Sequence, residues 1–236
     1  GFEMKKYEIK PHLNKYWKIP PDQNASFVAA MEDVLEVYAR PYNRKCPVVC
    51  MDESSIQLIG EVQEPISVAP GHSVLIDNEY VRKGVACIFM EVEPLGGKRH
   101  VKITERRTRI DWAHFIKEMV DVRYPDVDKV VLIMDNLNTH NIGSLYSAFP
   151  PEEARRLSDR IELHYTPKHG SWLNIAEIEL SVLKRQCLAG RIDCIQKMRS
   201  EVTIWNTDRN NRQTKVDWQF RTNDARIKLK RLYPKY

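Results

Sequence analysis

The sequence predicts an α/β fold built on a mixed five-stranded sheet flanked by helices. The order of the predicted elements supports this most strongly, because three strands joined by short turns come first and strands then alternate with helices. Such an order places antiparallel strands on one side of a sheet and parallel strands on the other. Residues 129–135 add a second observation, since their unbroken apolar run is typical of a central strand buried on both faces.

The first helix and the first strand are predicted from capping and apolar spacing. Asn24 or Ser26 can cap a helix over residues 25–39, because apolar residues recur there at helical spacing until Pro41 ends the pattern. Residues 47–52, which read Pro-Val-Val-Cys-Met-Asp, form a short apolar run and predict a buried strand.

A hairpin and a second helix follow. Residues 84–93 predict the second strand, the Pro-Leu-Gly-Gly turn at 94–97 reverses the chain, and residues 99–104 predict the third strand. Asp111 is expected to cap a helix that runs to about Val122.

The second half of the chain alternates helices with the last two strands. The strands are expected over residues 129–135 and 161–165. The helices are expected over residues 142–148, 151–158, 173–188, 194–206 and 223–232. This order of elements is that of the ribonuclease H-like fold.

Composition excludes several classes of protein. The chain has 236 residues, of which 42% are hydrophobic and 29% charged, so it can bury a core large enough to offset the entropy of ordering. No apolar run approaches the roughly 18 residues of a membrane span, and no membrane partner is expected. The five cysteines are odd in number and lack a second pair at zinc-binding spacing, which favours free thiols in a reducing, intracellular compartment.

The chain is expected to divide into four segments. A polar, Pro-containing arm comes first, a leading helix with its connection second, the catalytic core third, and a basic helical extension last. Their expected limits are residues 1–24, 25–44, 45–190 and 191–236.

Two basic stretches indicate contact with a polyanion. Residues 98–109 carry six Lys or Arg against one Glu, and residues 209–236 carry nine against two Asp. The alternative interpretation is an ordinary solvated basic face. The residues expected to contact DNA phosphates are Lys98, Arg99, Arg106, Arg107, Arg109, Lys168 and His169.

Three acidic residues are candidates for catalysis. Asp52 and Asp135 each end an apolar strand, where a carboxylate is costly unless it is paired or bound to metal. Glu177 lies on the helix after the fifth strand; Glu179 competes with it but has more apolar neighbours at helical spacing. Taken singly, either aspartate is also compatible with a simple turn. Together, three carboxylates can hold two Mg²⁺ ions for attack on a phosphodiester.

Further polar residues lie close to these acids in the sequence. Asn136 and His140 follow Asp135, and Asn174 precedes Glu177 by three positions. We predict that Asn136, His140 and Asn174 support the site, although an ordinary polar loop would explain the histidine equally well.

Three blocks of the sequence resemble the catalytic blocks of DDE transposases. The first is Val-Cys-Met-Asp-Glu at 49–53, and the second is Ile-Met-Asp-Asn-Leu-Asn-Thr-His at 133–140. The third runs from Tyr165 to Glu177 and includes Gly-Ser-Trp-Leu-Asn-Ile-Ala-Glu. The combination resembles the bacterial insertion-sequence branch of the mariner-like superfamily over nearly the whole chain.

The resemblance implies a metal-dependent enzyme that cuts transposon ends and joins them to target DNA, typically at TA. Asp52, Asp135 and Glu177 would be its metal ligands, with two Mg²⁺ ions as cofactor and Mn²⁺ as a substitute. It also implies a homodimer in the active state and a place in the cytoplasm or nucleoid of a prokaryote. The competing hypotheses are another ribonuclease H-like nuclease and a regulatory DNA-binding remnant without catalysis.

The family's helix-turn-helix region is expected to lie N-terminal to these residues. The arm over residues 1–24 would then connect recognition to catalysis and reach a partner subunit or DNA. We predict that Trp17 is buried against the first helix or another chain, whereas residues 1–10 remain loose.

Overall fold

The computed structural model describes residues 19–20, 22–63 and 78–235. The prediction for Trp17 and the rest of the arm before residue 19 lies outside the described residues. The strands are β1 (Val48–Glu61), β2 (Tyr80–Glu93), β3 (Lys98–Thr104), β4 (Val130–Met134) and β5 (Ile161–Tyr165). The α-helices are α1 (Ala25–Ala39), α2 (Arg109–Glu118), α3 (Ile142–Ala148), α4 (Pro151–Asp159), α5 (Ile175–Gln186), α6 (Ile195–Asn211) and α7 (Thr222–Lys228).

The five strands form one mixed sheet in the order β3-β2-β1-β4-β5. The first three are antiparallel neighbours, whereas β1, β4 and β5 run parallel to one another. This is the ribonuclease H-like arrangement that the element order predicts. Because β1 and β4 are parallel and adjacent, they carry Asp52 and Asp135 to the same edge of the sheet.

The two faces of the sheet bury separate apolar clusters. One face packs Cys50 and Ile133 against α1, α5 and the C-terminal helices. The other face packs Met51 and Leu132 against α2, α3 and α4. Since side chains alternate along a strand, consecutive residues of β1 serve different layers of the protein.

Strands β1 and β2 extend further than their apolar runs predict. They pair in antiparallel register beyond the sheet as far as Glu61 and Tyr80, with an irregularity between Leu58 and Ile59. The added residues 80–83 of β2 are exposed, whereas the added part of β1 buries Leu58 in the cluster of α1, with Ile56 packed against it. The exposed part of β2 carries no apolar alternation, so hydrophobic patterning does not reveal it.

Helix α2 begins one turn earlier than predicted. Thr108 is its N-cap, and Asp111 is the third helical residue, whose carboxylate accepts hydrogen bonds from the N–H and hydroxyl of Thr108. This reciprocal arrangement is a capping box. The helix continues into a π-helical turn at Met119–Arg123.

The C-terminal helices are part of the same packed body. Asn210 of α6 bonds both the N–H and the C=O of Arg99, each at 2.8 Å, and so joins α6 to strand β3. Ala225 and Leu232 are fully buried in the cluster that contains α1, and the N–H of Asn24 donates to the carbonyl of Leu232. Within the described residues, no helix combines the length and apolar character needed to cross a membrane.

Candidate active site

The three predicted acids line one open cavity. Its volume is about 280 Å³, and it lies where β1 diverges from β4 after the pair Cys50 and Ile133. The cavity walls are polar apart from Leu180. They are formed by Asp52, Glu53, Ser54, Asp135, Thr166, Ser171, Asn174, Glu177, Leu180 and Lys184.

Asp52 is held in an unfavourable electrostatic environment. Burial raises the pKa of Asp52 to about 7; the backbone N–H of Glu53 opposes this rise, and the negative charges of Asp135 and Glu177 add to it. The three carboxylates are therefore close enough to repel one another. A bound divalent cation would relieve that repulsion.

Asp135 is oriented by the buried imidazole of His140. The Nδ1 atom of His140 lies 2.6 Å from Oδ1 of Asp135, and its Nε2 atom lies 2.9 Å from Oε1 of Glu53. Burial lowers the pKa of His140, but the hydrogen bonds to Asp135 and Glu53 outweigh it and raise this pKa to about 9. Both ring nitrogens therefore donate, one to each carboxylate.

Asn174 fixes the third acid relative to the first. Its side-chain oxygen accepts the N–H of Ala176 and caps helix α5, while its side-chain nitrogen donates to the carbonyl of Met51 at 2.8 Å. One buried amide thus ties the start of α5 to the residue before Asp52 and presents Glu177 in the first turn of the helix.

Glu177 and Glu179, the two candidates for the third acid, have different surroundings. Glu179 is only 3% exposed and receives hydrogen bonds from Arg99 and Arg209 at 2.7–3.0 Å. Burial by itself raises the pKa of Glu179, but the two guanidinium groups outweigh it and hold the pKa below its usual value. Glu179 is fully engaged in a structural ion pair, whereas Glu177 is exposed at the cavity.

The donor set suits a hard divalent cation. Carboxylate oxygens, with water and phosphate oxygens, are what Mg²⁺ and Mn²⁺ accept. Within the described parts of the chain, no three His, Cys, Asp or Glu side chains are already spaced to hold one ion. The three carboxylates line a shared cavity.

The basic stretch at 98–109 is divided between the two ends of strand β3. Lys98 pairs with Glu93 at one end, whereas Thr104 pairs with Cys87, which itself pairs with Ser55 near the acids. The exposed Arg106, Arg107 and Arg109 therefore follow the end of the strand that lies at the cavity edge.

One predicted DNA contact needs correction. Arg99 is 4% exposed and bonded to Glu179, so it is not available to phosphate. Lys98 is exposed at the other end of β3 from Thr104, about 20 Å away at 3.3 Å per residue, and its contact with DNA stays a prediction. The exposed Lys168 and His169 lie on the loop after Thr166, at the cavity edge, and His169 adopts a left-handed φ of 65°.

Sequence reasoning missed Glu53 and Lys184. Glu53 directly follows the candidate metal ligand Asp52. Side chains alternate along a strand, so Glu53 faces the opposite side of the sheet from Asp52 and was not grouped with the acids. Lys184 follows Glu177 by seven positions, which is two helical turns and hence the same side of α5. Asn136 is exposed directly after Asp135.

The fold matches solved structures of the Mos1 mariner transposase. The catalytic domain of that protein aligns with a TM-score of 0.52 and 14% identity, covering 84% of this chain and 91% of that one. Its paired-end complex with Mn aligns with a TM-score of 0.54 and 14% identity, covering 89% and 68%. The complex with the left transposon end aligns with a TM-score of 0.56 and 12% identity, covering 89% of this chain and 64% of that one. This chain thus spans about two thirds of the chains in those two complexes, and the likeness establishes the fold.

Comparison at the level of sequence identifies the family. No protein of curated function matches the chain. The family profile described as DDE superfamily endonuclease matches residues 47–199, which include all three acids of the cavity and most of the sheet and its helices. The chain therefore belongs to the DDE superfamily endonuclease family.

Proposed function

We propose that this chain is the catalytic part of a DNA transposase that cuts transposon ends and joins them to target DNA. The observation that carries the proposal is the convergence of Asp52, Asp135 and Glu177 on one open cavity, in a member of the DDE endonuclease family. The fold supports it, because solved Mos1 structures with this fold include a strand transfer complex, at a TM-score of 0.55.

The three carboxylates of Asp52, Asp135 and Glu177 are the proposed metal ligands. When bound, two divalent ions supply an activated hydroxyl or water on one side of the phosphodiester and stabilise the leaving oxygen on the other. Mg²⁺ is the proposed cofactor and Mn²⁺ a substitute; Mos1 complexes have been solved with each.

The chain's own side chains supply binding and orientation. His140 holds one oxygen of Asp135 at 2.6 Å, and Asn174 anchors the helix that presents Glu177. Lys184 brings an ammonium group to the cavity wall, where it can bind the phosphate that the acids alone would repel. The exposed arginines that follow β3 extend this positive potential along the DNA backbone.

The finer features of the function follow the resemblance in sequence. We propose transposon ends and a TA target as the DNA partners, a homodimer as the active form, and an insertion sequence of a prokaryote as the source. Action in the cytoplasm or nucleoid is consistent with five free cysteines among the described residues.

Metal-dependent nicking tests the proposal. The chain is incubated with supercoiled plasmid and Mn²⁺ or Mg²⁺, beside Asp135→Asn and the control Asp208→Asn. Asp208 is a half-exposed aspartate of α6 that pairs with Arg212 and does not line the cavity. We expect nicking by the wild type and the control, and none by Asp135→Asn or in EDTA. Equal nicking by Asp135→Asn would contradict the assignment.

A joining assay separates transposase from simple nuclease. A labelled duplex that carries the DNA flanking the coding sequence, with a free 3′-hydroxyl, is mixed with the plasmid and Mn²⁺. Covalent transfer of the label to the plasmid is the expected result. Nicking without transfer would instead indicate a hydrolytic ribonuclease H-like nuclease.

A further inference from the structure

A buried carboxylate lies behind the active-site histidine. Glu53 has a side chain that is 2% exposed, and the side chain of His140 is fully buried. The carboxylate oxygen Oε1 of Glu53 lies 2.9 Å from Nε2 of His140. A buried carboxylate without a partner is costly, and the hydrogen bond with His140 offsets that cost.

The contact lies on one side of the sheet, and His140 extends from that side to Asp135. Asp52 and Glu53 are consecutive on β1, and alternation turns them to opposite faces of the sheet. The ring of His140 packs against Trp112 of α2, with centroids 6.0 Å apart, in the layer that contains Met51. His140 therefore reaches Asp135 from the layer opposite to α5.

The backbone of His140 is also fixed. Its N–H donates to the carbonyl of Leu137 at 2.9 Å, and its carbonyl accepts the hydroxyl of Tyr165 at 2.8 Å. With the backbone and one ring face held, the remaining freedom of the side chain is rotation of the ring. The hydrogen bond to Glu53 removes that freedom and directs Nδ1 to Asp135.

We propose that Glu53 is a positioning residue that acts through His140 to orient the carboxylate of Asp135 for metal binding. His140 holds Oδ1 of Asp135, so Oδ2 is the oxygen that this hydrogen bond leaves for a cation in the cavity that Asp135 lines. Partners that orient a metal ligand typically contribute 10–100-fold to metal affinity. The proposal rests on the proposed metal-dependent function, and it concerns a residue outside the three acids.

The test measures Mn²⁺ affinity by isothermal titration calorimetry in the absence of DNA. Glu53→Leu replaces a buried carboxylate with an apolar side chain that suits a buried position and cannot accept a hydrogen bond. We expect its Mn²⁺ dissociation constant to rise by about tenfold. Glu53→Gln retains an acceptor oxygen for Nε2–H and should restore most of the affinity. If Glu53→Leu does not unfold cooperatively, Glu53→Ala is measured in its place with the same expectation.

A matched control separates positioning from general destabilisation. Glu91 is another buried glutamate, on β2, and it pairs with Arg123 away from the cavity. Glu91→Leu should lower the melting temperature yet leave Mn²⁺ affinity unchanged. A Mn²⁺ affinity that falls equally in Glu91→Leu and Glu53→Leu would overturn the proposal, as would an unchanged affinity in Glu53→Leu.

The proposed function fails in a distinguishable way. If the wild type neither binds Mn²⁺ nor nicks DNA, the metal-dependent function is wrong and the role of Glu53 is overturned with it. If the wild type binds Mn²⁺, Asp135→Asn does not, and Glu53→Leu equals the wild type, only the role of Glu53 is overturned.

Discussion

Two groups of carboxylates are treated in opposite ways by the fold. At the cavity, Asp52, Asp135 and Glu177 share one wall, and the cations beside them are His140 and Lys184. The second group, Glu91 and Glu179, is neutralised by arginines. Glu179 pairs with Arg99 and Arg209, and Glu91 pairs with Arg123. No arginine is among the described residues that line the cavity, where a divalent ion can enter.

The contrast is sharpest within helix α5. Glu177 and Glu179 are two residues apart, so they project about 200° apart around the helix axis. Glu179 is buried against two arginines, and Glu177 is exposed at the cavity. The first lesson is that identical side chains on one helix have different surroundings: one is held in a buried ion pair, and the other is exposed at the cavity.

The largest effect is expected at Glu177. Glu177→Gln removes a ligand from the cavity and should lower metal-dependent nicking by about a thousandfold, because loss of several kcal/mol of stabilisation corresponds to that factor. Removing one of three repelling charges should leave the melting temperature equal or higher. Plasmid nicking and thermal unfolding are measured together; a stable variant with normal nicking would remove Glu177 from the active site.

The next largest effect is expected at the buried pair. Arg99→Ala leaves the 3%-exposed Glu179 with only Arg209, and breaking a buried pair typically costs about 3–5 kcal/mol of unfolding free energy. Urea denaturation measures this loss. Mn²⁺ affinity of the folded variant should equal that of the wild type, and a selective loss of affinity would show that the two groups are coupled.

A smaller effect is expected from two exposed lysines. Lys184→Ala should weaken DNA binding. It should also reduce the slope of log K against the logarithm of the salt concentration by about one, as expected when one phosphate contact is lost. Lys98→Ala is the control, because Lys98 is exposed at the opposite end of β3. Fluorescence anisotropy across a salt series measures the DNA affinity of both variants, and DNA of unrelated sequences should bind alike. A larger loss of affinity in Lys98→Ala than in Lys184→Ala would place the DNA at the other end of β3.

The smallest effect is expected in the pH dependence of stability at His100, which lies near the second group. Burial, together with the charge of Arg123, lowers the pKa of His100 to about 4. The unfolded state therefore binds a proton near pH 6.5 that the folded state binds only near pH 4, so stability falls as pH decreases through this window. From pH 7 to pH 5 the contribution of His100 is about 1–2 kcal/mol.

The variant His100→Gln isolates this contribution. Burial raises the pKa of Glu91 to about 7, and this acts in the opposite direction over the same window. The difference between the wild type and His100→Gln is therefore the informative quantity. Urea denaturation at pH 7 and pH 5 should show the variant gaining relative stability at pH 5; an identical pH dependence of the two proteins would contradict the assignment.

By itself, the sequence determined the element order and the catalytic blocks. The apolar runs of β1 and β4 and the spacing in α5 were sufficient to predict the fold and to nominate Asp52, Asp135 and Glu177. These signals are local, because burial of a strand or a helix face imposes a periodicity on consecutive residues. The exposed outer part of β2 over residues 80–83 carries no such periodicity, and neither it nor the outer part of β1, which buries Leu58, was predicted.

Only the tertiary structure decided which charged residues meet. Arg99 belongs to a basic run, yet the sheet and α6 enclose it against Glu179, 80 positions away in the chain. Glu53 meets His140 across 87 positions, and Asn174 meets the carbonyl of Met51 across 123. Hydrogen bonds and ion pairs depend on distance and direction in space, which sequence separation does not encode, so the partners of each acid emerged only when the two layers closed around the sheet.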